Sequence, residues 1–392
     1  MLSVEAAIHL VLSSAKKAAA SVSVDISDAL GSILSEDIIS PINMPPFRQS
    51  AMDGYAVHFH EDAVYTIIDE VKAGDSKLPH LHPGEAVRIF TGAVVPDTAN
   101  SVVRQEDVKR LGNKAHMTME VKMDANIRPE GEQLRLGEVA LRRGTKINTA
   151  HIGLIATLGL SRVHIQKEPS IAIVVTGNEL KEANTPLQQG EIYESNGTML
   201  EIALNSLHFN KVHKTRVEDD YHLTKEVLEE LIAQHDIVLV SGGISVGDYD
   251  FVGKALKDLG VEEIFYKVRQ KPGKPLFFGR KDETFVFGLP GNPAASLSCF
   301  YIYVYPLLHK YLGALQIELA RVWLTSLSDF TVKGDRAQFL KARIQEDGVE
   351  ILGGQSSSML QTFGDANALI YIPTETTTLK KGDMVQTIIL PH

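Results

Sequence analysis

The sequence predicts a multidomain chain of the α/β-plus-β class. It has a central α/β domain on a parallel sheet, a β domain inserted ahead of it, and a C-terminal β-barrel domain. Three observations predict this. The runs IAIVV (171–175) and DIVLV (236–240) are continuously apolar, as strands buried on both faces are. Helical patterns alternate with these runs, which implies a parallel sheet with right-handed crossovers. On either side of this region, short β-branched segments are bounded by Gly, Pro, Asn or Asp.

Taken in order, residues 2–20 carry Val4, Ala7, Ile8 and Val11 at helical spacing, and the pattern predicts an amphipathic helix. A second short helix is expected over Ser27–Ser35. Prolines 41, 45 and 46 then stop regular structure. Over 46–145 the segments AVYTIIDEVKAG, EAVRIFTGAVVP, SVVRQEDV and HMTMEVKM read as the strands of an inserted β domain. NTAHIGLIATLGL resumes a helical pattern, so residues 1–45 and 146–168 are expected to join in one domain around the insertion. The α/β domain spans 169–315, with helices expected near 194–208, 222–234, 250–259 and 294–311 and further strands near 263–267 and 284–288. From 318 to 392 the β pattern returns in RVWLTSL, QFLKARIQ, VEILGG, ALIYIP and DMVQTIIL.

A 392-residue chain exceeds one ordinary core. Hydrophobic residues at 44% and charged residues at 22% exclude wholesale disorder. The net charge of −10 gives no general attraction to nucleic acid or an anionic membrane, so an anionic ligand needs a local basic pocket, backbone N–H groups or a bridging metal. No run of about 18 apolar residues occurs, so no transmembrane helix is expected. The opening segment lacks the basic and small-residue signals of a signal peptide. Cys299 is the single cysteine, which excludes an intramolecular disulfide and a thiolate cluster. The chain is expected in the cytoplasm.

The chemistry concentrates in the turns after buried strands, where open α/β sheets bind ligands. IAIVV runs into Thr176-Gly177-Asn178-Glu179, and DIVLV into Ser241-Gly242-Gly243-Ile244-Ser245-Val246-Gly247-Asp248-Tyr249-Asp250. FVFG is followed by Leu289-Pro290-Gly291-Asn292-Pro293. One such turn can be a plain connector. Three in one sheet point to a shared phosphate-bearing ligand, because glycines admit close approach of backbone N–H groups and the following helices direct positive ends at it. None is a P-loop or a dinucleotide fingerprint.

Lys267-Val268-Arg269-Gln270-Lys271-Pro272-Gly273-Lys274-Pro275 supplies the local basic segment, its ammonium groups held by two prolines and a glycine. The candidate acids are Asp53, Glu179, Asp219, Asp220, Asp248 and Asp250. Oxygen-rich sites of this kind suit Mg²⁺, which takes one or two carboxylates plus phosphate and water. Singly, Asp53 also fits a DG turn and Asp250 a helix N-cap. His80 and His82 fit a surface loop, and neither HExxH nor GxSxG occurs. The residues therefore suggest phosphoryl-linked group transfer by positioning and charge rather than covalent catalysis.

PPFRQSAMDGYAV (45–57), RIFTGAVVP (88–96), IVVTGNEL (173–180), SGGISVGDYD (241–250), KPGKP (271–275) and GLPGNPAAS (288–296) resemble, in this order, the MoeA family, whose eukaryotic relatives include the gephyrin E domain. The resemblance spans nearly the whole chain. It implies a MogA-like α/β domain, a dimerisation role for the 1–45 and 146–168 segments, and an elongated homodimer with the active site in a cleft near the partner's β insertion. The implied activity is that of a molybdopterin molybdenumtransferase. It consumes adenylylated molybdopterin and molybdate and releases AMP with a divalent cation, in molybdenum cofactor biosynthesis. Further implied partners are a MogA-like protein and apo-molybdoenzymes.

Carried over position by position, the resemblance implies catalytic roles for Asp53, Glu179, Asp219, Asp250, Lys271 and Lys274. Glu179, Asp219 and Asp250 would hold Mg²⁺. Thr91 and Lys267 would bind substrate and Pro290 and Pro293 shape the loop beside it, while the glycine-rich turns themselves put Thr176, Gly242, Gly243 and Ser245 among the substrate-binding residues. The chain departs from the family pattern at Gln133, Asn178, Tyr249 and Ala295. Two other functions remain open: a MogA-like adenylyltransferase using ATP, and a non-catalytic cofactor carrier or scaffold.

Overall fold

The computed structural model describes residues 1–15, 20–76, 78–243 and 251–391. Its centre is a six-stranded sheet in the order Val212–Val217, Ile171–Thr176, Ile237–Ser241, Thr284–Leu289, Phe277–Lys281, Glu262–Tyr266. The first four strands are parallel. Along Ile171–Thr176 the side chains of Ile171, Ile173 and Val175 enter one core, while Ala172 and Val174 enter another. A strand so placed must be apolar at every position, which is why IAIVV was readable. From Ile171–Thr176 the chain moves outward to Val212–Val217, then crosses back to Ile237–Ser241 on the other side. The direction of travel therefore reverses between Ile171–Thr176 and Ile237–Ser241. A crevice opens at such a reversal.

The other end of this sheet corrects the expectation of parallel strands throughout. Phe277–Lys281, a strand beyond those expected from the sequence, forms an antiparallel hairpin with Thr284–Leu289 and also pairs with Glu262–Tyr266. Only Asp282 and Glu283 separate its two strands, with Asp282 at φ 53°, and so short a connection can join only antiparallel neighbours. The helix expected over 294–311 has a π turn, Phe300–Val304, between Pro293–Cys299 and Tyr305–Tyr311. Pro306 lacks an N–H for the carbonyl of Ile302 and crowds it, and the wider turn accommodates both.

Helix Val4–Ser14 is capped by Ser3, which accepts from the Ala6 N–H at 3.2 Å, and is shorter than the 2–20 expected. Past it, Ser21–Asp25 is a strand paired antiparallel to Arg162–Gln166. No helix forms over 27–35. A single 3-10 turn, Ile26–Asp28, is followed by Gly31 at φ 79°, which no right-handed helix tolerates, and Ile33 and Leu34 then bridge to Lys146 and Ile165. Leu34, Ile38 and Met44 share a core with Ile147, Ile155 and Val163. Val4, Ala7 and Val11 pack instead in the core of the α/β region.

The inserted segment forms a six-stranded sheet in the order Ser101–Arg104, Gly54–Val57, Glu85–Ile89, Val64–Val71, Lys114–Met117, Val108–Leu111. The C-terminal sheet runs Gln270–Lys271, Ala337–Gln345, Ala368–Ile372, Met384–Ile389, Arg321–Thr325, with Gly348–Ile351 also on Ala337–Gln345. Two features bind this sheet to the α/β region. Gln270–Lys271 belongs to the KPGKP segment and pairs in parallel with Ala337 and Gln338. Phe339, Leu369 and Tyr371 also lie in one continuous core with Ile173, Leu239 and Phe287. No helix among the described residues is long and apolar enough to cross a membrane.

Candidate active site

A cleft of about 1120 Å³ opens at the carboxyl ends of the parallel strands, where strand order reverses. Thr176, Gly177, Gly242, Gly243, Pro290, Gly291 and Pro293, from three separate turns, line it together. The glycines are required here. Gly242 and Gly243 have φ of 93° and 64°, a region that side chains resist. A Cβ on Gly242 would stand 2.7 Å from the Thr176 carbonyl oxygen, and one on Gly243 2.5 Å from Val252 Cγ2. Gly291 differs: a Cβ there would meet only Gly242 Cα, at 3.8 Å. Two glycine turns thus face each other across an open gap.

Asn196, at the start of helix Asn196–Ser206, fixes that gap. Its Nδ2 donates to Ser241 Oγ at 2.8 Å and to the Gly291 carbonyl at 2.7 Å, joining the ends of two strands. Among the described residues, Asn196 Oδ1 and Thr176 Oγ1 are buried without a hydrogen-bond partner. Buried polar atoms are rarely left so. Both belong to residues lining the cleft.

The basic wall is Lys271 and Lys274. Their loop is held from beneath by Gln270, whose Nε2 donates to the Gly273 carbonyl at 3.3 Å and whose Oε1 accepts from the Tyr303 hydroxyl. Gly273 has φ 82°, and a Cβ on it would lie 2.4 Å from Cys299 Sγ, so the loop sits directly on the helix. Burial pushes the Cys299 thiol up to about 12, which leaves it neutral and inert.

The acids line the same cleft. Glu179 and Asp219 come from the ends of adjacent strands. Asn178 joins their turns: its N–H donates to Asp219 Oδ2 at 3.3 Å, and its Oδ1 accepts from the Asp219 N–H at 2.9 Å. The departure at Asn178 thus keeps a side-chain acceptor for Asp219 without adding a third negative charge. Two carboxylates lining one cleft are a donor set that suits Mg²⁺ when a ligand supplies further oxygens. No group of three or more metal-binding side chains occurs among the described residues. The donor set fits a cation that completes its shell with ligand oxygens and water.

The cleft has a fourth wall that the sequence reading missed. Arg336, Gln355, Ser356 and Ser357 reach it from the C-terminal region. Ser357 Oγ accepts from Asn292 Nδ2 at 2.8 Å, and its carbonyl accepts from the Ala295 N–H at 3.2 Å. The serine run at 356–358 was the one visible signal. Tyr193, Glu194 and Asn196 were also missed.

Of the expected site residues, Thr176, Glu179, Asp219, Gly242, Gly243, Lys271, Lys274, Pro290 and Pro293 meet in this cleft. Lys267 does not. Its ammonium lies over the Tyr266 ring, 4.5 Å from the centroid, and its N–H donates to the Leu276 carbonyl, so it serves the strand rather than the cleft. Asp53 and Thr91 bind each other in the inserted sheet region and do not line the cleft of their own chain. Ser245, Asp248, Tyr249 and Asp250 lie outside the described residues. The departure at Gln133 sits in a turn where its N–H donates to the Met44 carbonyl at 2.9 Å.

Comparison with known proteins gives a consistent picture. Residues 2–159 match the MoeA N-terminal region (domain I and II), 172–310 a probable molybdopterin binding domain, and 324–390 the MoeA C-terminal region (domain IV). A molybdopterin molybdenumtransferase of Staphylococcus epidermidis is 30% identical over 381 residues, covering 94% of this chain and 91% of the relative. One from Staphylococcus aureus is 31% identical over the same shares. The crystal structure of the molybdopterin biosynthesis moeA protein from Pyrococcus horikoshii is similar with a TM-score of 0.87 at 28% identity, covering 99% of this chain and all 100% of that one. A molybdenum cofactor biosynthesis protein from Pyrococcus furiosus, at 18% identity and a TM-score of 0.64, shares the fold.

Proposed function

The chain belongs to the MoeA family and acts in molybdenum cofactor biosynthesis as a molybdopterin molybdenumtransferase, and on that premise we propose how its cleft performs the transfer. The observation that supports the reading is the meeting of three glycine-rich strand ends, two lysines and two carboxylates in one cleft. The phosphate-linked part of adenylylated molybdopterin rests on the backbone of the Thr176, Gly242 and Pro290 turns. N–H groups there approach it without a side chain between. Lys271 and Lys274 neutralise the phosphates and draw molybdate to the pterin sulfurs. Both are substrates that carry negative charge into an acidic protein, so this local pair of ammonium groups decides where they bind.

Glu179 and Asp219, with Asp250, would hold Mg²⁺ at the pyrophosphate. Held there, it would supply charge relief to the phosphoryl oxygens. The link that breaks is the P–O–P bond between the pterin phosphate and AMP. A water oxygen attacks the adenylate phosphorus, the P–O bond to the pterin phosphate breaks with that oxygen staying on the pterin phosphate, the water proton passes to solvent, and AMP leaves carrying the water oxygen. The enzyme is a cytoplasmic homodimer in this reading, and Asp53, with Thr91 beside it, serves the cleft of the partner subunit.

The test is AMP release by purified protein from adenylylated molybdopterin and molybdate with Mg²⁺. Wild type should release AMP only when molybdate is present. Glu179→Gln should raise the Mg²⁺ concentration needed for half-maximal rate. Consumption of ATP with no molybdate-dependent AMP release would overturn the reading in favour of an adenylyltransferase.

A further inference from the structure

We infer that Lys341 is a positioning residue for this enzyme: from inside the C-terminal sheet its ammonium fixes the Gly354–Met359 loop and so sets the serine wall of the cleft. Lys341 lies mid-strand in Ala337–Gln345 and is only 4% exposed. Its Nζ donates to the carbonyls of Gly354 at 2.7 Å, Ser356 at 3.1 Å and Met359 at 3.0 Å. An ammonium has three protons, and all three are used on one loop. Gln355 completes the clamp. Its Oε1 accepts from the Lys341 N–H at 2.9 Å, while its Nε2 donates to the carbonyls of Lys341 and Leu352, each at 2.8 Å.

A buried charge is costly unless its hydrogen bonds are complete. Among the described residues no carboxylate pairs with Lys341 within 4 Å; the loop carbonyls stabilise it instead. Burial pushes its pKa below the ordinary lysine value, which records that cost. No neutral side chain donates three hydrogen bonds from one atom, and a hydrophobic residue of equal length would strand three carbonyls. The far side of the loop faces function. Ser356 and Ser357 line the cleft, and Ser357 meets Asn292 and Ala295 at the Pro290–Pro293 turn. Lys341 does not line the cleft, so its influence passes through the serines.

The inference rests on the reading of the cleft as the substrate site, and its test separates the two. Lys341→Met and Lys341→Arg in the full chain are compared with wild type for KM and kcat of AMP release, and for hydrogen exchange of the amides at 354–359. Lys341→Met should raise KM by about tenfold with kcat per folded molecule nearly unchanged, and should speed exchange in the loop. Lys341→Arg, which keeps the charge and several donors, should recover part of the KM loss. A folded Lys341→Met with wild-type KM overturns the inference. So does a loss of kcat at constant KM. If the Met variant does not fold, the ¹⁵N signal of the wild-type Lys341 ammonium decides: its proton exchange should slow when AMP and molybdate saturate the protein, and unchanged exchange overturns the inference. Wild type that releases no AMP would sink the reaction assigned to the cleft, while faster loop exchange in Lys341→Met would still support the clamp.

Discussion

Thr91 grips one oxygen of Asp53 twice: its backbone N–H donates to Oδ1 at 2.7 Å and its hydroxyl donates to the same atom at 2.8 Å. These bonds, the backbone one foremost, hold the Asp53 carboxyl below its ordinary value, with Arg88 adding to the effect. A depressed carboxyl favours the folded state above its ordinary pKa, and that contribution fades as pH falls through the folded value. Thr91→Val removes the hydroxyl and keeps the N–H. The Asp53 midpoint, followed by ¹³C NMR of the carboxyl, should therefore rise part of the way toward ordinary. An unmoved midpoint would mean that the hydroxyl bond carries no weight.

Gly243 and Gly291 face the same gap but should respond oppositely to alanine. At Gly243 the backbone is left-handed and a Cβ would stand 2.5 Å from Val252 Cγ2 and 2.7 Å from Thr176 Oγ1. Gly243→Ala should cost roughly 2–3 kcal/mol of stability from the backbone region and the overlap together. Gly291 has a Cβ position with its nearest neighbour at 3.8 Å. Gly291→Ala should unfold within about 0.5 kcal/mol of wild type, yet bind adenylylated molybdopterin more weakly because the methyl occupies the gap. Urea unfolding with a parallel KM measurement checks both, and equal stability losses would refute the distinction.

Removing the Asn196 amide should loosen two strand ends at once. Ser241 Oγ and the Gly291 carbonyl both lose a donor at 2.8 and 2.7 Å. Asn196→Ala should lower stability by about 1–3 kcal/mol, the range for a buried group left unpaired. Asn196→Asp should hurt KM more than Asn196→Ala, since it places a negative charge beside an anionic substrate. Chemical denaturation and steady-state kinetics report these separately, and the reverse order of KM values would count against the orientation of the cleft.

What was legible in the sequence follows from how local each signal is. IAIVV and DIVLV announce themselves because both faces of those strands are buried, and the glycines after them are demanded by backbone angles at the same positions. Ser21–Asp25 was not legible. Its side chains are exposed or half-buried, so no apolar alternation marks it, and its partner lies beyond the entire inserted sheet. The hairpin strand Phe277–Lys281 was hidden behind KPGKP, whose prolines suggest a loop up to its first residue. The serine wall could not be read at all in spatial terms. Ser356 and Ser357 reach the cleft only because the C-terminal sheet docks on a shared core and Lys341 folds their loop back toward Asn292. Nothing in the neighbouring sequence encodes that docking.

Lys271 and Lys274 should act mainly through charge. Lys271→Ala or Lys274→Ala should raise KM for adenylylated molybdopterin about tenfold or more at low salt, the scale of one charge-assisted hydrogen bond. Added salt screens the same attraction over about 10 Å at 0.1 M, so KM of wild type should climb with ionic strength more steeply than that of either variant. Parallel salt dependences in all three proteins would show that these ammonium groups do not meet the substrate.

Cys299 provides a control that reports the integrity of the site without touching substrate. It lies fully buried beneath the KPGKP loop, with Gln270 Nε2 at 3.5 Å from its sulfur and the Gly273 carbonyl accepting weakly from its thiol at 3.9 Å. Its thiol, pushed up to about 12, stays protonated near neutral pH, and only the thiolate reacts with alkylating agents. Native enzyme should therefore resist iodoacetamide at pH 8, and the modification rate should follow the fraction of molecules that open. Substrate bound to Lys271 and Lys274 should slow that rate further by holding the loop down. Rapid stoichiometric labelling of the folded enzyme would mean that the loop lifts freely from the helix, and the fixed placement of the two lysines would fall with it.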